Sequence, residues 1–296
     1  MMILNNSPIS QFKYGNHTFF VKRDDLLDKN FNGNKARKLA YYLENDFPAT
    51  NTIISYGGNQ SNLMYSLSCL AQLKNWQFIY YTRSLSKTVK DSKQSNLELS
   101  LKNGMQLIEL DKEYNQFTSS LCTTSNQLLI CQGALQIEAE YGIKQLAEEI
   151  NKWAVLNYLE SINIFLPSGT GTTAFFLQKH LDKHQVITTN CVGSRDYLIE
   201  QMSSINYDNS KLPLVIDNKQ YRFATPYEEL LTTIREINKV SQIEFDLIYD
   251  PVGWKILLEN LETIKGSILY LHCGGLTGNY SMQQRYNYLK NKSATS

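Results

Sequence analysis

The chain has 296 residues, of which 42% are hydrophobic and 19% charged, a globular composition and not a disordered one. Lysine and arginine total 29 against 28 acidic residues, so there is no excess positive charge to mark a nucleic-acid or anionic-membrane partner. No apolar run approaches the roughly 20 residues of a membrane helix. The opening MMILNNSPISQF lacks the basic start and apolar stretch of a signal peptide. The length fits one large domain or two intertwined ones.

In chain order, short apolar runs alternate with helical patterns. NGNKARK (32–38) opens a helix. The run at 51–56 (NTIISY) leads into a helix over 61–74, and 77–82 (QFIYYT) into a helix over 92–103. The run at 162–166 (INIFL) leads into a helix over 172–180, and 185–192 precedes a helix starting near Ser194. Two more runs, 245–249 and 267–271 (SILYL), are each followed by a helical segment. This alternation predicts βαβ units and an α/β fold with parallel sheet. Ligands of such folds sit at the carboxyl ends of strands. The Gly-rich polar segments GGNQSN (57–62), SGTGTT (168–173) and CGGLTG (273–278) fall there. Together with NGNKARK, they are expected to converge on one cleft.

Cysteine and histidine spacing excludes more than it selects. Cys69, Cys122, Cys131, Cys191 and Cys273 are widely spaced and form no CxxC pair. They read as free thiols of a cytoplasmic protein, with no disulfide framework and no metal site. His180 and His184 lie in HLDKH, which lacks the glutamate of HExxH, and are expected on a solvated helix end.

Three segments could carry chemistry. SGTGTT follows a strand and opens a helix, so its backbone N–H groups form an anion site, with Thr170, Thr172 and Thr173 as further donors. It has no P-loop lysine, and a plain strand–helix turn with a Ser/Thr cap is the competing reading. GGNQSN repeats the pattern, with Gln60, Ser61 and Asn62 at the helix start. In NGNKARK, Lys35 occupies the first helical turn, where a cation is electrostatically disfavoured as decoration. Neighbouring cations and dehydration would depress its pKa and suit a Schiff-base lysine; a solvated lysine is the alternative. A nucleophilic amine beside a phosphate loop suggests pyridoxal 5'-phosphate, which carries an aldehyde and a phosphate.

The blocks VKRDDLLDKNFNGNKARKLAYYLEN, SYGGNQSNLMYSLSCLAQLKNW, LPSGTGTTAFFL and LYLHCGGLTGN resemble, in the same order, the aminocyclopropane-carboxylate deaminase / D-cysteine desulfhydrase family of pyridoxal-phosphate enzymes. The resemblance implies fold type II: two open, twisted, mostly parallel sheets with helices on both faces and the cofactor in the cleft between the domains. The large domain would be 1–44 plus 133–296, the small domain 45–132 inserted in it, and the assembly a homodimer. Residue by residue, it implies that Lys35 holds the cofactor and that Lys38 is the motif's second lysine. Ser61 would lie near the substrate carboxylate and act in proton transfer, with Asn59 and Gln60 beside the substrate. Asn62 would bond the ring hydroxyl, and Thr170, Gly171, Thr172 and Thr173 would hold the phosphate.

Two departures are specific. The family's PVY[TE]GK reads DPVGWK here, so Gly253 and Trp254 replace the substrate-facing tyrosine and the following residue; Tyr56, Tyr65, Tyr249 and Tyr280 are the available substitutes. Where desulfhydrase-like members read HTGG, this chain has His272, Cys273, Gly274 and Gly275, which puts Cys273 against the ring nitrogen. The implied activity is a lyase or deaminase on a small amino acid. D-Cysteine desulfhydrase-like β-elimination to pyruvate, ammonia and sulfide ranks first. Deamination of 1-aminocyclopropane-1-carboxylate to 2-oxobutanoate and ammonia ranks second, and a cofactor-binding pseudoenzyme is a further alternative.

Overall fold

In the computed structural model, which describes residues 4–205 and 212–293, two sheets divide the strands. The larger is built from β1 (Ile9–Tyr14), β2 (His17–Arg23), β7 (Ile162–Ser168), β8 (Gln185–Asn190), β9 (Leu214–Ile216) and β10 (Ser267–His272). The smaller holds β3 (Thr52–Tyr56), β4 (Gln77–Arg83), β5 (Met105–Leu110) and β6 (Gln127–Ile130). The six-stranded order is β1-β2-β10-β7-β8-β9, parallel except for the β1–β2 hairpin. Gly15, at φ +57, opens the hairpin's two-residue turn. The four-stranded order is β5-β4-β3-β6, parallel throughout.

Helices link the strands: α1 (Gly33–Glu44), α2 (Asn62–Lys74), the short α3 (Lys87–Lys90), α4 (Asn96–Lys102), α5 (Tyr114–Ser119), α6 (Ala139–Leu156), α7 (Thr172–His180), α8 (Arg195–Ser203), α9 (Glu228–Ser241), α10 (Asp250–Glu259) and α11 (Asn279–Ser293). Both faces of the large sheet are covered, and strand alternation shows it. Ile162, Ile164, Leu166, Leu269 and Leu271 point into the core shared with α6 and α7. Their neighbours Phe165, Ile268 and Tyr270 join the opposite core with α9 and α10. Helix α6 reaches its core through Ile143, Leu146, Ala147, Ile150 and Ala154, a stripe at helical spacing. A third core packs α1 and α2 on the four-stranded sheet.

Each sheet reverses its winding once. Chain order moves outward from β3 through β4 to β5, then β6 returns to the other side of β3. In the large sheet it runs from β7 through β8 to β9, then β10 returns to the other side of β7. Reversal leaves a crevice at the carboxyl ends of the two strands flanking it. The loops at those crevices are GGNQSN after β3, residues 131–133 after β6, SGTGTT after β7 and CGGLTG after β10.

Three expectations are corrected. Residues 245–249 form no strand; the Asp246 carboxylate accepts the N–H groups of Ile248 and Tyr249 at 2.6 Å each and closes a turn into α10. Its apolar residues pack without strand pairing: Phe245 is wholly buried, and Leu247 and Ile248 lie against the same core. The helix expected over 92–103 starts at Asn96, because the Ser95 hydroxyl accepts the N–H of Glu98 and caps it there. His180 and His184 do not share a solvated helix end. His180 pairs with Glu140 (2.7 Å), while His184 is buried and its Nδ1 accepts the N–H of Ile162. Among the described residues no group of three or more His, Cys, Asp or Glu is placed to hold a metal, and no helix is long and apolar enough to cross a membrane.

Candidate active site

The site is organised by the first turn of α1. Gly33 has φ +68, and a Cβ there would sit 2.1 Å from the carbonyl oxygen of Cys273. Only glycine lets the two backbones approach so closely. The N–H of Asn34 then donates to that same oxygen at 3.1 Å, fastening the loop after β10 to α1. The next residue is Lys35. Burial lowers its amine pKa below the ordinary lysine value, with Cys273 and Asp246 opposing. Lys38 lies one turn on and donates to the carbonyl of Gly133 at 2.8 Å. Burial, reinforced by the charge of Lys35, pushes its pKa well down.

A cavity of about 640 Å³ opens over Lys35. Its walls include residues 58–62 of the β3 loop, 131–133 of the β6 loop, Gly169 and Thr170 of the β7 loop, and Tyr249. This is within the size range of sites for small organic ligands. A second cavity of about 310 Å³ also borders Lys35 and Asn62 and is lined by Cys273, Gly275 and Thr277. Lys35 and Asn62 therefore form the partition between the two.

Besides α1, the N-termini of α2 and α7 face this region, and they differ in one respect. In α2 the hydroxyl of Ser61 accepts the N–H groups of Leu63 and Met64 (3.2 and 3.4 Å), so its first turn is already satisfied. Helix α7 begins at Gly171, which has φ +74 and no side chain to cap with. The donors of its first turn are thus the ones left for an outside acceptor. Thr170 and Thr172 share a hydrogen bond at 2.8 Å, and the Asn34 amide donates to the Thr173 hydroxyl at 3.5 Å. That last bond ties this loop to α1. A buried amine of lowered basicity, an uncapped helix start and a cavity between them fit a group carrying both an aldehyde and a phosphate.

The structure brings Lys35, Asn59, Gln60, Ser61, Asn62 and Thr170 to one cavity wall. Gly171, Thr172 and Thr173 lie just behind it, the two threonines buried. Cys273 borders the second cavity, and its thiol contacts the carbonyl of Leu271 at 3.6 Å. Burial pushes that thiol well above its usual range, so it stands neutral. Of the four tyrosines, Tyr56 and Tyr249 line the large cavity and Tyr65 the smaller one; Tyr280 lies on neither wall and is exposed. Trp254 is in the core, stacked on Tyr270 at 4.1 Å. A Cβ on Gly253 would meet the Tyr270 hydroxyl at 2.7 Å. Positions 253 and 254 therefore pack against β7 and β10 and do not face the cleft.

Several wall residues escaped the sequence. Cys131, Gln132 and Leu135 belong to a loop marked only by Gly133, and Val192, Tyr197 and Phe223 sit in no recognisable motif. Asp246 is buried under the site and interacts with Lys35. Its only signal was an acid inside an apolar run.

The architecture matches the topology of fold type II. A crystallised aminocyclopropane-carboxylate deaminase homologue superposes with a TM-score of 0.79 over 98% of this chain and 95% of its own, at 19% identity. A hydrogen sulfide-producing enzyme from Fusobacterium nucleatum gives 0.64 over 92% and 94%, at 16% identity. In sequence, the chain is similar to a Thermotoga maritima protein provisionally named 1-aminocyclopropane-1-carboxylate deaminase. The two are 23% identical over 298 aligned positions, covering 92% of this chain and 93% of that one. No protein-family model matches the chain.

Proposed function

We propose that the protein is a pyridoxal-phosphate-dependent lyase or deaminase acting on a small amino acid. The observation that carries this reading is the pairing of Lys35, a buried amine of lowered basicity, with the uncapped start of α7 across one cavity. When bound, the cofactor supplies an electron sink for negative charge at the substrate α-carbon. Lys35 would hold the cofactor aldehyde, and Thr170, Gly171, Thr172 and Thr173 the phosphate. Asn62 would donate to the ring hydroxyl, and the neutral thiol of Cys273 would sit beside the ring edge.

The lowered pKa keeps a larger share of the Lys35 amine unprotonated near neutrality, as both a nucleophile and an α-proton acceptor require. Ser61 uses its lone pairs on Leu63 and Met64, and its O–H, which meets the Tyr80 hydroxyl, would turn to a substrate carboxylate beside Asn59 and Gln60. Burial also raises the pKa of Tyr249, so its phenol is a protonated donor on the opposite wall. Tyr249 thus takes the place of the tyrosine missing from position 253. β-Elimination from D-cysteine is the first reading and opening of a cyclopropane ring the second.

Reconstitution tests the reading. Protein mixed with pyridoxal phosphate is expected to develop a near-visible absorption band, and borohydride is expected to fix the cofactor mass on the Lys35 peptide. Lys35→Ala should abolish both. A reducible adduct that survives Lys35→Ala would sink the assignment. Assays for sulfide, ammonia and keto acid with D- and L-cysteine, D-serine, β-chloroalanine and 1-aminocyclopropane-1-carboxylate then separate the activities. Sulfide and pyruvate from D-cysteine support the first reading, 2-oxobutanoate from the cyclopropane substrate the second, and no product from any of them the pseudoenzyme.

A further inference from the structure

Asn96 opens α4, on the four-stranded unit, and is completely buried. Both of its amide N–H groups and its carbonyl oxygen are engaged. Its amide nitrogen donates to the carbonyl of Gln60 at 3.0 Å and to Oδ1 of Asn62 at 2.7 Å. Its Oδ1 accepts from the hydroxyl of Thr277 at 2.6 Å. Thr277 belongs to the short turn Leu276–Gly278 that follows β10 in the other sheet. One side chain therefore joins the loop after β3, the helix after β4 and the loop after β10.

The network can run in only one direction. A backbone carbonyl accepts and never donates, so the Gln60 contact fixes the nitrogen end of the Asn96 amide. The opposite end is then an oxygen, which the Thr277 O–H satisfies. The second Asn96 N–H must be received by the oxygen of Asn62, and this turns the Asn62 NH2 the other way. That NH2 lies 2.5 Å from where a Cβ on Gly275 would stand, so the left-handed Gly275 (φ +90) makes the room it occupies. Asn62 borders both cavities, and with its oxygen held by Asn96 its NH2 is the group left to meet a ligand.

We infer that Asn96 and Thr277 form a polar latch that fixes Asn62 as a hydrogen-bond donor to an anionic oxygen of the bound cofactor and ties the four-stranded unit to the loop after β10. Both are positioning residues, since neither needs to touch the cofactor. The inference rests on the cofactor reading above, and its test is arranged so that each can fail separately.

Thr277→Val removes the hydroxyl with almost no change of shape, and Thr277→Ser keeps it. A net hydrogen bond of about 1 kcal/mol corresponds to roughly a fivefold change in an equilibrium. In the holoprotein, Thr277→Val is therefore expected to weaken pyridoxal phosphate about fivefold or more and to shift its near-visible band, which responds to donors at the ring hydroxyl. Thr277→Ser should restore both, and borohydride should still fix the cofactor at Lys35 in each variant. In the protein without cofactor, Asn96→Ala and Thr277→Val should be non-additive in urea unfolding, because each removes the same bond. Affinity and band unchanged in Thr277→Val overturn the latch, as do additive unfolding effects. A wild-type protein that forms no adduct at Lys35 overturns the cofactor reading instead, and the unfolding cycle then decides the latch alone.

Discussion

Asp246 and Asp250 lie buried four residues apart, close enough that each disfavours a charge on the other. Burial pushes the Asp246 carboxyl up to about 6, against the N–H groups of Tyr249, Ile248 and Asp250 and the charge of Lys35. Between its ordinary value of 3.8 and about 6, the folded protein holds a proton that the unfolded chain has released. The contribution of this group to stability is fully present below pH 3.8 and is lost as pH rises through about 6. Asp246→Asn keeps an oxygen for the two turn N–H groups and removes the titration. The stability of this variant relative to wild type should rise across that window, measured by urea unfolding at a series of pH values. A constant difference would show that Asp246 does not carry the shift.

At the level of elements, α1 is held where α6 crosses it. A Cβ on Gly142 would lie 2.1 Å from the carbonyl oxygen of Arg37 and 2.8 Å from the Ala40 methyl. Gly142→Ala should therefore force the helices apart, at a cost of about 1–3 kcal/mol in denaturant unfolding. The displacement would move Lys35 as well, so the variant should also release pyridoxal phosphate more readily. The glycines of the β3, β7 and β10 loops were legible in the sequence because tight turns at strand ends demand them. Helices α2 and α7 were legible because Ser61 and Gly171 punctuate their starts. The β1–β2 hairpin was not, since polar residues interrupt both strands. Gly142 was also silent, and Asp246 showed only as an acid inside an apolar run: the contacts of Gly142 with Arg37 and Ala40 and of Asp246 with Lys35 span more than 90 residues, which no local pattern encodes.

Across the whole molecule, one buried charge network supports the site from beneath. Arg37, wholly inaccessible to solvent, pairs with Asp24 and Glu149, and Lys22 also meets Glu149. It joins β2, the turn Asp24–Leu26, α1 and α6. Burial opposes a charge on Glu149, but Arg37 and Lys22 outweigh it and hold the carboxyl below its usual range. Arg37→Met would leave Asp24 buried without its guanidinium partner and is expected to cost about 3–5 kcal/mol by calorimetry or urea unfolding. A loss below about 1 kcal/mol would mean that the network relaxes around the gap.

The placement of β10 also constrains the order in which the chain can fold. This strand lies between β2 and β7, with Ile268 beside Phe19 and Ser267 beside Ile162. The middle of the large sheet therefore waits for a segment that leaves the ribosome late. The four-stranded sheet uses only residues 52–130 and can assemble first. Closing the long loop between β2 and β10 makes the final step intrinsically slow. Until it is complete, the turn that carries Lys35 lacks the Cys273 carbonyl to which Asn34 is fastened.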